Sequence, residues 1–250
     1  MSLGTPPLCV ADNATFWPWF SSPTLGSWPD REQVVVVIPL AGLADWGLGH
    51  ALDAEETVLM PILAEASRLR PLDRRLLVTP PLRFVAGPDP GCAFAVDQAV
   101  AHALIAEVVA SISAAGFRRI VLLNASPWNE ELCAAAARDL RIGRGLHLFT
   151  LQLAALGLDF HPQRSRDRRR VQTLLTGLTG RAPEAAGPAG AAPGWGEEPV
   201  TVLAGAAVEP KAAAAEAPGI VAAAARKLAS LLGEIGARAP LAHAGQIEWR

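Results

Sequence analysis

Residues 34–57 read VVVVIPLAGLADWGLGHALDAEET. Five apolar, mostly β-branched residues, Val34–Ile38, run without alternation, the pattern of a strand buried on both faces. Pro39 ends the run. A loop carrying Asp45, Trp46, His50 and Asp53 follows, and Glu55 opens a helical pattern with Val58, Ile62, Leu63, Ala66 and Leu69 on one stripe, stopped at Pro71. Loops at the carboxyl ends of parallel strands build the functional site of an open α/β sheet. This loop is therefore the first place to look for chemistry.

Working outward, the same alternation recurs. Arg75–Thr79 is a short strand ended by Pro80-Pro81, and residues 82–96 form a Gly/Pro-rich loop long enough to be functional or interfacial. Asp97 is placed to cap a long helix that runs to Ala115 and ends at Gly116. Arg118–Leu123 is a third strand, Asn124–Trp128 the loop after it, Asn129–Leu140 a helix and Leu146–Leu151 a fourth strand. Strand and helix in alternation predict a single α/β domain, a mostly parallel sheet flanked by helices on both faces. Beyond it, the basic run Arg164–Arg170 reads as a solvated face leading into a helix that ends near Gly177. Residues 181–199, RAPEAAGPAGAAPGWGEEP, are flexible by composition. Ala212–Ile235 is a final helix that tolerates Pro218 only near its start. Upstream of the first strand, residues 1–33 have no sustained period but hold Phe16, Trp17, Trp19, Phe20 and Trp28, and read as an irregular arm anchored by aromatic packing. The domain proper is 34–250.

Composition narrows the function. A formal net charge of −2 gives no electrostatic case for nucleic acid or an anionic membrane. No apolar run approaches the roughly 20 residues that span a bilayer, and the Met1 end lacks the basic and apolar regions of a signal peptide. Cys9, Cys92 and Cys133 are widely spaced and unpaired in pattern, as expected of reduced thiols in a cytoplasmic protein. Hydrophobic residues make up 51% of the chain and charged ones only 18%, a balance that predicts buried subunit contact in an oligomer.

Two stretches together resemble the creatininase (creatinine amidohydrolase) family. The first is the opening strand with its proline, the Gly-rich loop and the helix after it, similar to a family loop of the type GSxEQHGxHLPxxTDT. The second is Gly116–Asn129, GFRRIVLLNASPWN, in which Asn124 and Asn129 match the two asparagines of the family's NGHGGN. A long helix lies between them, as in the family, and the resemblance covers about residues 28–160. It implies the creatininase-like α/β fold, and two divalent metals held by carboxylate and His ligands from these two loops. Such metals would generate a bridging hydroxide for C–N hydrolysis.

The ligands that this resemblance calls for are mostly replaced. With Gly42 on the motif glycine, Asp45 replaces the liganding Glu, Gly47 falls on the His, His50 matches a later His, and Glu56-Thr57 covers Asp-Thr. With Pro39 on the motif proline and no gap, Ala44 and Trp46 replace Glu and His, and Glu55 replaces Asp. The first register is preferred because it keeps His50 and Thr57. In the second loop Ser126 stands where the His belongs and Trp128 where a Glu or Gly belongs. The family's HAGExETS segment is also missing from its place. Residues 159–162, with His161, occupy that region, and the similar HAGQIEWR at 243–250 comes after the last helix.

Three readings follow. One is a chain without cofactor, a structural or regulatory subunit in homo- or hetero-oligomers with creatininase-family chains. The second is a metal-dependent amidohydrolase with Zn or Mn on a rebuilt site drawn from Asp45, His50, Asp53, Glu55 and Glu56, of which Asp45, His50 and Glu56 come first, helped by His161 or His243. The third is a metal-free small-molecule binding protein or metal-independent enzyme using the old pocket, walled by Trp46 and Trp128, with Asn124, Ser126 and Asn129 as polar contacts.

Overall fold

The computed structural model describes residues 15–44, 46–69, 75–86, 92–161, 167–184 and 208–239. Cys9, Asp45, Arg164 to Arg166, residues 185–199 of the segment expected to be flexible, His243 and the HAGQIEWR tail lie outside these residues.

In chain order the elements are α1 (Ser22–Gly26), β1 (Val35–Ala41), β2 (Leu43–Ala44), α2 (Ala54–Leu69), β3 (Leu76–Val78), β4 (Leu82–Arg83), β5 (Val85–Ala86), β6 (Cys92–Ala93), β7 (Ala95–Val96), α3 (Gln98–Ala114), β8 (Arg119–Asn124), α4 (Glu130–Arg144), β9 (His147–Gln152), α5 (Arg168–Thr179) and α6 (Pro210–Ala237). The main sheet is parallel in the order β3-β1-β8-β9, with β4 continuing beside β1 beyond the end of β3. β1 and β8 pair from Val35↔Arg119 to Leu40↔Asn124, the pairing on which the sequence reading depended.

β1 differs from expectation in a telling way. It does not end at Ile38 but runs through Pro39 to Ala41. Odd residues of β1 face β3, as the bonds from Val35 N–H to Arg75 O and from Thr79 N–H to Val37 O show. The missing N–H of Pro39 therefore falls in the gap where β3 has ended and β4 has not begun, so no ladder bond is lost. The stretch 82–96, read as loop, contributes four two-residue strands: β4 on the main sheet, β6 antiparallel to β2 of the first loop, and β5 and β7 parallel to each other.

Alternate residues of β1 and β8 feed two cores. Val35, Val37, Val121 and Leu123 face α2, α5 and α6, while Val36, Ile38, Ile120 and Leu122 face α3 and α4. A strand buried on both faces needs the continuous apolar run seen in the sequence. On α2, Val58, Ile62, Leu63 and Ala66 are buried as the stripe predicts, whereas Leu69 at the frayed end is exposed. Asp97 caps α3 by accepting from Ala99 N–H at 2.7 Å. The arm packs on the α3 face through buried Trp28 and the edge-to-face pairs Trp17–Phe117 and Phe20–Trp28. Phe16 bridges to Val78 beside β3.

α6 is longer than expected and holds Pro218 well inside it, not near its start. Its buried face is mostly alanine (Ala213, Ala217, Ala224, Ala225), which lets α5 lie very close. At Gly177 of α5 an added Cβ would stand 2.5 Å from both the Ala213 carbonyl oxygen and the Ala217 Cβ. Helix propensity alone would favour alanine there by about 1 kcal/mol. Backbone contact decides otherwise, and Gly177→Ala should destabilise the fold by about 2–3 kcal/mol in chemical denaturation. A neutral or stabilised variant would show that the α5–α6 contact is looser than described.

Candidate functional site

The carboxyl ends of β1 and β8 bring together the two loops singled out in the sequence. Of two adjacent carboxylates at the start of α2, only one turns toward this junction. Glu55 is fully buried; its Oε2 accepts the Gly42 N–H at 2.5 Å and its Oε1 accepts the Trp46 indole N–H at 3.0 Å. The Ser126 hydroxyl lies beside the same carboxyl and favours its ionised form, though its Oγ completes no hydrogen bond of good geometry. Burial outweighs these donors and pushes the Glu55 carboxyl up to about 7. Glycine is required at position 42, because a Cβ there would collide with the Val85 side chain and sit 3.3 Å from Glu55 Oε2.

Glu56 turns away and takes a bidentate ion pair from Arg83, 2.6 Å from Nε and 2.8 Å from Nη2. His50 sits against Thr176 of α5, its Nε2 3.4 Å from Oγ1, and burial lowers its pKa. The register that leaves Pro39 on the motif proline is thus the one whose surviving carboxylate, Glu55, meets the second loop. In the preferred register Glu56 would have done so.

Trp46 is buried and stacks on Trp128, centroids 5.8 Å apart at 23°. Phe160 leans on Trp46 at 6.0 Å, and His161 on the far side of Trp128 at 5.3 Å. The two indoles and Phe160 form a continuous aromatic layer, which joins the α2–α5–α6 core through Trp46, Phe160 and Trp128. Arg168 of α5 ties this layer down, donating to the Trp46 carbonyl at 3.3 Å and the Gly47 carbonyl at 2.6 Å. The basic run was expected to be a solvated face, and Arg168 departs from it.

The two motif asparagines brace the loops. Asn124 donates from Nδ2 to the Ser126 carbonyl and to Gln152 Oε1, both at 2.6 Å, and accepts from the Ser126 N–H at 3.2 Å. Asn129 accepts the Ala86 N–H at 2.8 Å and donates to the Phe84 carbonyl at 2.9 Å, fixing the β5 segment over the junction. Every polar atom of both side chains is thus engaged with protein, so these residues hold shape and offer little to a ligand. Cys133 is buried, and burial followed by the Glu130 charge pushes its thiol up to about 12, far from a nucleophile's range.

This layout matches solved structures. Creatinine amidohydrolase (creatininase) superposes with a TM-score of 0.67 at 15% identity, over 91% of this chain and 100% of that one. The chain has a creatininase-like fold. A Bacteroides fragilis protein assigned by name to the creatinine amidohydrolases gives 0.65 at 20% identity, covering 91% and 98%. A structure described as creatininase Mn gives 0.66 at 15% identity, covering 90% and 99%. No protein-family model matches the sequence, and no curated protein matches it. No helix among the described residues is long and apolar enough to cross a membrane.

Whether the residues present suit the two metals implied by the creatininase resemblance can be judged from their donors. Among the described residues no three His, Cys, Asp or Glu side chains come together in a metal-binding group. His50 and Glu56, two of the three candidate ligands, are engaged with Thr176 and Arg83; Asp45, the third, lies outside the described residues. Glu55 is the one carboxylate at the junction described here, and both of its oxygens accept hydrogen bonds from protein. A dinuclear centre needs several hard or borderline donors around each ion, and the donors among the described residues do not make up one.

Arg168 is a residue that the reading of the sequence passed over, and Glu55 was named there only as one loop carboxylate among several. A glutamate in the first turn of a helix is explained well enough by the macrodipole, and nothing local distinguishes Glu55 from Glu56. Only the ungapped register set it apart from Glu56.

Proposed function

We propose that this chain is a creatininase-fold protein without a working metal centre, serving as a structural or regulatory subunit in an assembly with chains of the same fold. One observation carries this reading: the carboxylate at the junction of the two loops is spent on Gly42 and Trp46, under a stacked Trp46–Trp128 pair. Trp46 thereby plays the part of a core residue at the place where the creatininase resemblance calls for an imidazole. The assembly half of the proposal is supported by exposed apolar side chains. Phe94 is 73% exposed and Val100, at the start of α3, is 60% exposed. Phe94 also holds a left-handed backbone (φ 53), an unfavourable state for an aromatic residue.

Elemental analysis of protein purified with Mn²⁺ and Zn²⁺ tests the first half, beside a Glu55→Gln variant. The expected content is below about 0.1 metal per chain in both, since two or fewer donors hold such ions weakly. A content near one or above, lost in the variant, would overturn the proposal and restore a hydrolase on a rebuilt site. Solution mass at micromolar concentration tests the second half, and a monomer that captures no creatininase-fold chain would remove it.

A second reading, a metal-free pocket, is favoured by the buried Ser126 hydroxyl with no hydrogen-bond partner beside Glu55. It requires the aromatic layer to open, which the Trp46 substitutions discussed below address.

A further inference from the structure

At the other end of the strands, far from Glu55, basic residues gather at the amino edge of the sheet. β8 begins at Arg119 and β9 at His147, and the parallel register sets these two side by side, with Val35 on the other side of Arg119. Arg75 lies just before β3, its carbonyl accepting from Val35 N–H at 2.9 Å. Arg238 ends α6, its guanidinium 5.5 Å from the centre of the Phe149 ring, two residues along β9 from His147.

Arg119 already has one explanation. Its Nη1 donates to the carbonyls of Ile235 and Gly236, closing the negative end of the 28-residue helix α6. That account leaves Nε over. The side chain is 3% exposed, yet its Nε–H is buried without a hydrogen-bond partner. Native folds seldom leave such a donor unanswered. The surrounding charges are of one sign: burial, then the Arg75 charge, lowers the Arg119 pKa, and burial, then Arg119 and Arg238, lowers that of His147. Among the described residues no carboxylate forms an ion pair with Arg75, Arg119 or Arg238. Guanidinium groups gathered about an unanswered buried donor, with no carboxylate paired to them among the described residues, are the makings of an anion site.

We infer that the amino edge of the sheet binds a phosphate-class oxyanion, held by the Arg119 Nε–H and by the charges of Arg75, Arg119 and Arg238. A multiply charged tetrahedral oxyanion suits it better than a halide or a single carboxylate. It carries enough charge for three guanidinium groups and presents acceptors in several directions to their planar forks. The site is separate from the loop junction and does not rest on the fate of the metal centre.

The test is calorimetric titration of the full chain with inorganic phosphate, and with glycerol phosphate to separate the free ion from a phosphate carried on a larger molecule. Chloride at matched ionic strength is the control. Saturable binding of one equivalent is expected for at least one of the two phosphates, and the tighter one names the source. Arg75→Gln and Arg238→Gln, both at exposed positions, should each weaken it about tenfold, the effect of losing one charge-assisted contact. Arg119→Lys keeps the charge but removes the Nε–H, and should weaken binding at least as much. Because Arg119 also closes α6, that variant is read only with its unliganded thermal midpoint beside it, and the two surface variants decide the case. Absence of saturable binding to both phosphates, or binding unchanged in both surface variants, would overturn the site.

Discussion

Replacing Glu55 by Gln should abolish a pH dependence of stability that the parent protein shows between about 4.5 and 7. The folded carboxyl is raised to about 7 from its ordinary value of 4.5, chiefly because it is buried. Between those values the folded state holds a proton that the unfolded state has released. Stability from this group is therefore fully present below about 4.5 and is lost as pH rises through about 7. A shift of this size corresponds to a difference on the order of 3 kcal/mol. Glutamine cannot ionise, so the variant lacks the slope while keeping an acceptor for Gly42 or Trp46. Urea midpoints at pH 5 and pH 8 for both proteins measure the effect directly. The parent should lose more stability than the variant on going to pH 8. Equal slopes would mean that Glu55 ionises freely, in contact with water, and that the junction is an open site rather than a packed one. Glu55→Ala should be more damaging at both pH values, because it strands two buried donors and leaves a void.

Trp46→Ala should cost about 3–5 kcal/mol, the range for deleting a large aromatic from a core. The indole is buried, stacks on Trp128, touches Phe160 and donates to Glu55. Trp46→Phe separates these roles: most of the packing survives and the N–H is lost, for an expected cost of about 1–2 kcal/mol. Denaturant unfolding with an unchanged m-value would establish that both act on folded-state stability. A loss under about 1 kcal/mol for the alanine variant, well below the core range, would show that the layer is not core. Trp46 would then be a movable wall, and the metal-free pocket would become the better account of the site. A large loss with no change in oligomer mass would confine the role of the cluster to the single chain.

These two substitutions bear on one physical point. A carboxylate next to open metal positions must keep its oxygens free. A carboxylate that organises a core must have them occupied, and must be dry enough that its proton is held near neutral pH. Glu55 meets the second description. Asn124 and Asn129 are of the same kind, spent on the loops around them.

The sequence by itself determined the sheet. Five β-branched and apolar residues in a row at 34–38, and four more at 120–123, fit strands buried on both sides in a parallel sheet covered by two helix layers. Asp97 and Gly116 marked the ends of α3 because capping is local chemistry, an oxygen reaching a free N–H and a glycine at φ 92. Where the outcome depended on residues distant in the chain, the sequence could not decide. Pro39 looked like a strand end, and only the gap between β3 and β4 made it harmless. Glu55 and Glu56 are neighbours with the same propensities. Both are buried, but one faces the loop junction and the other pairs with Arg83, because α2 meets the sheet at a particular rotation, fixed by how Val58, Ile62 and Leu63 pack. Arg168 sat in a run of like charges, and only the docking of α5 against the first loop gave it two carbonyls to hold. Caps, turns and burial periodicity are written in adjacent residues; which polar group faces a junction is decided by packing across the whole domain.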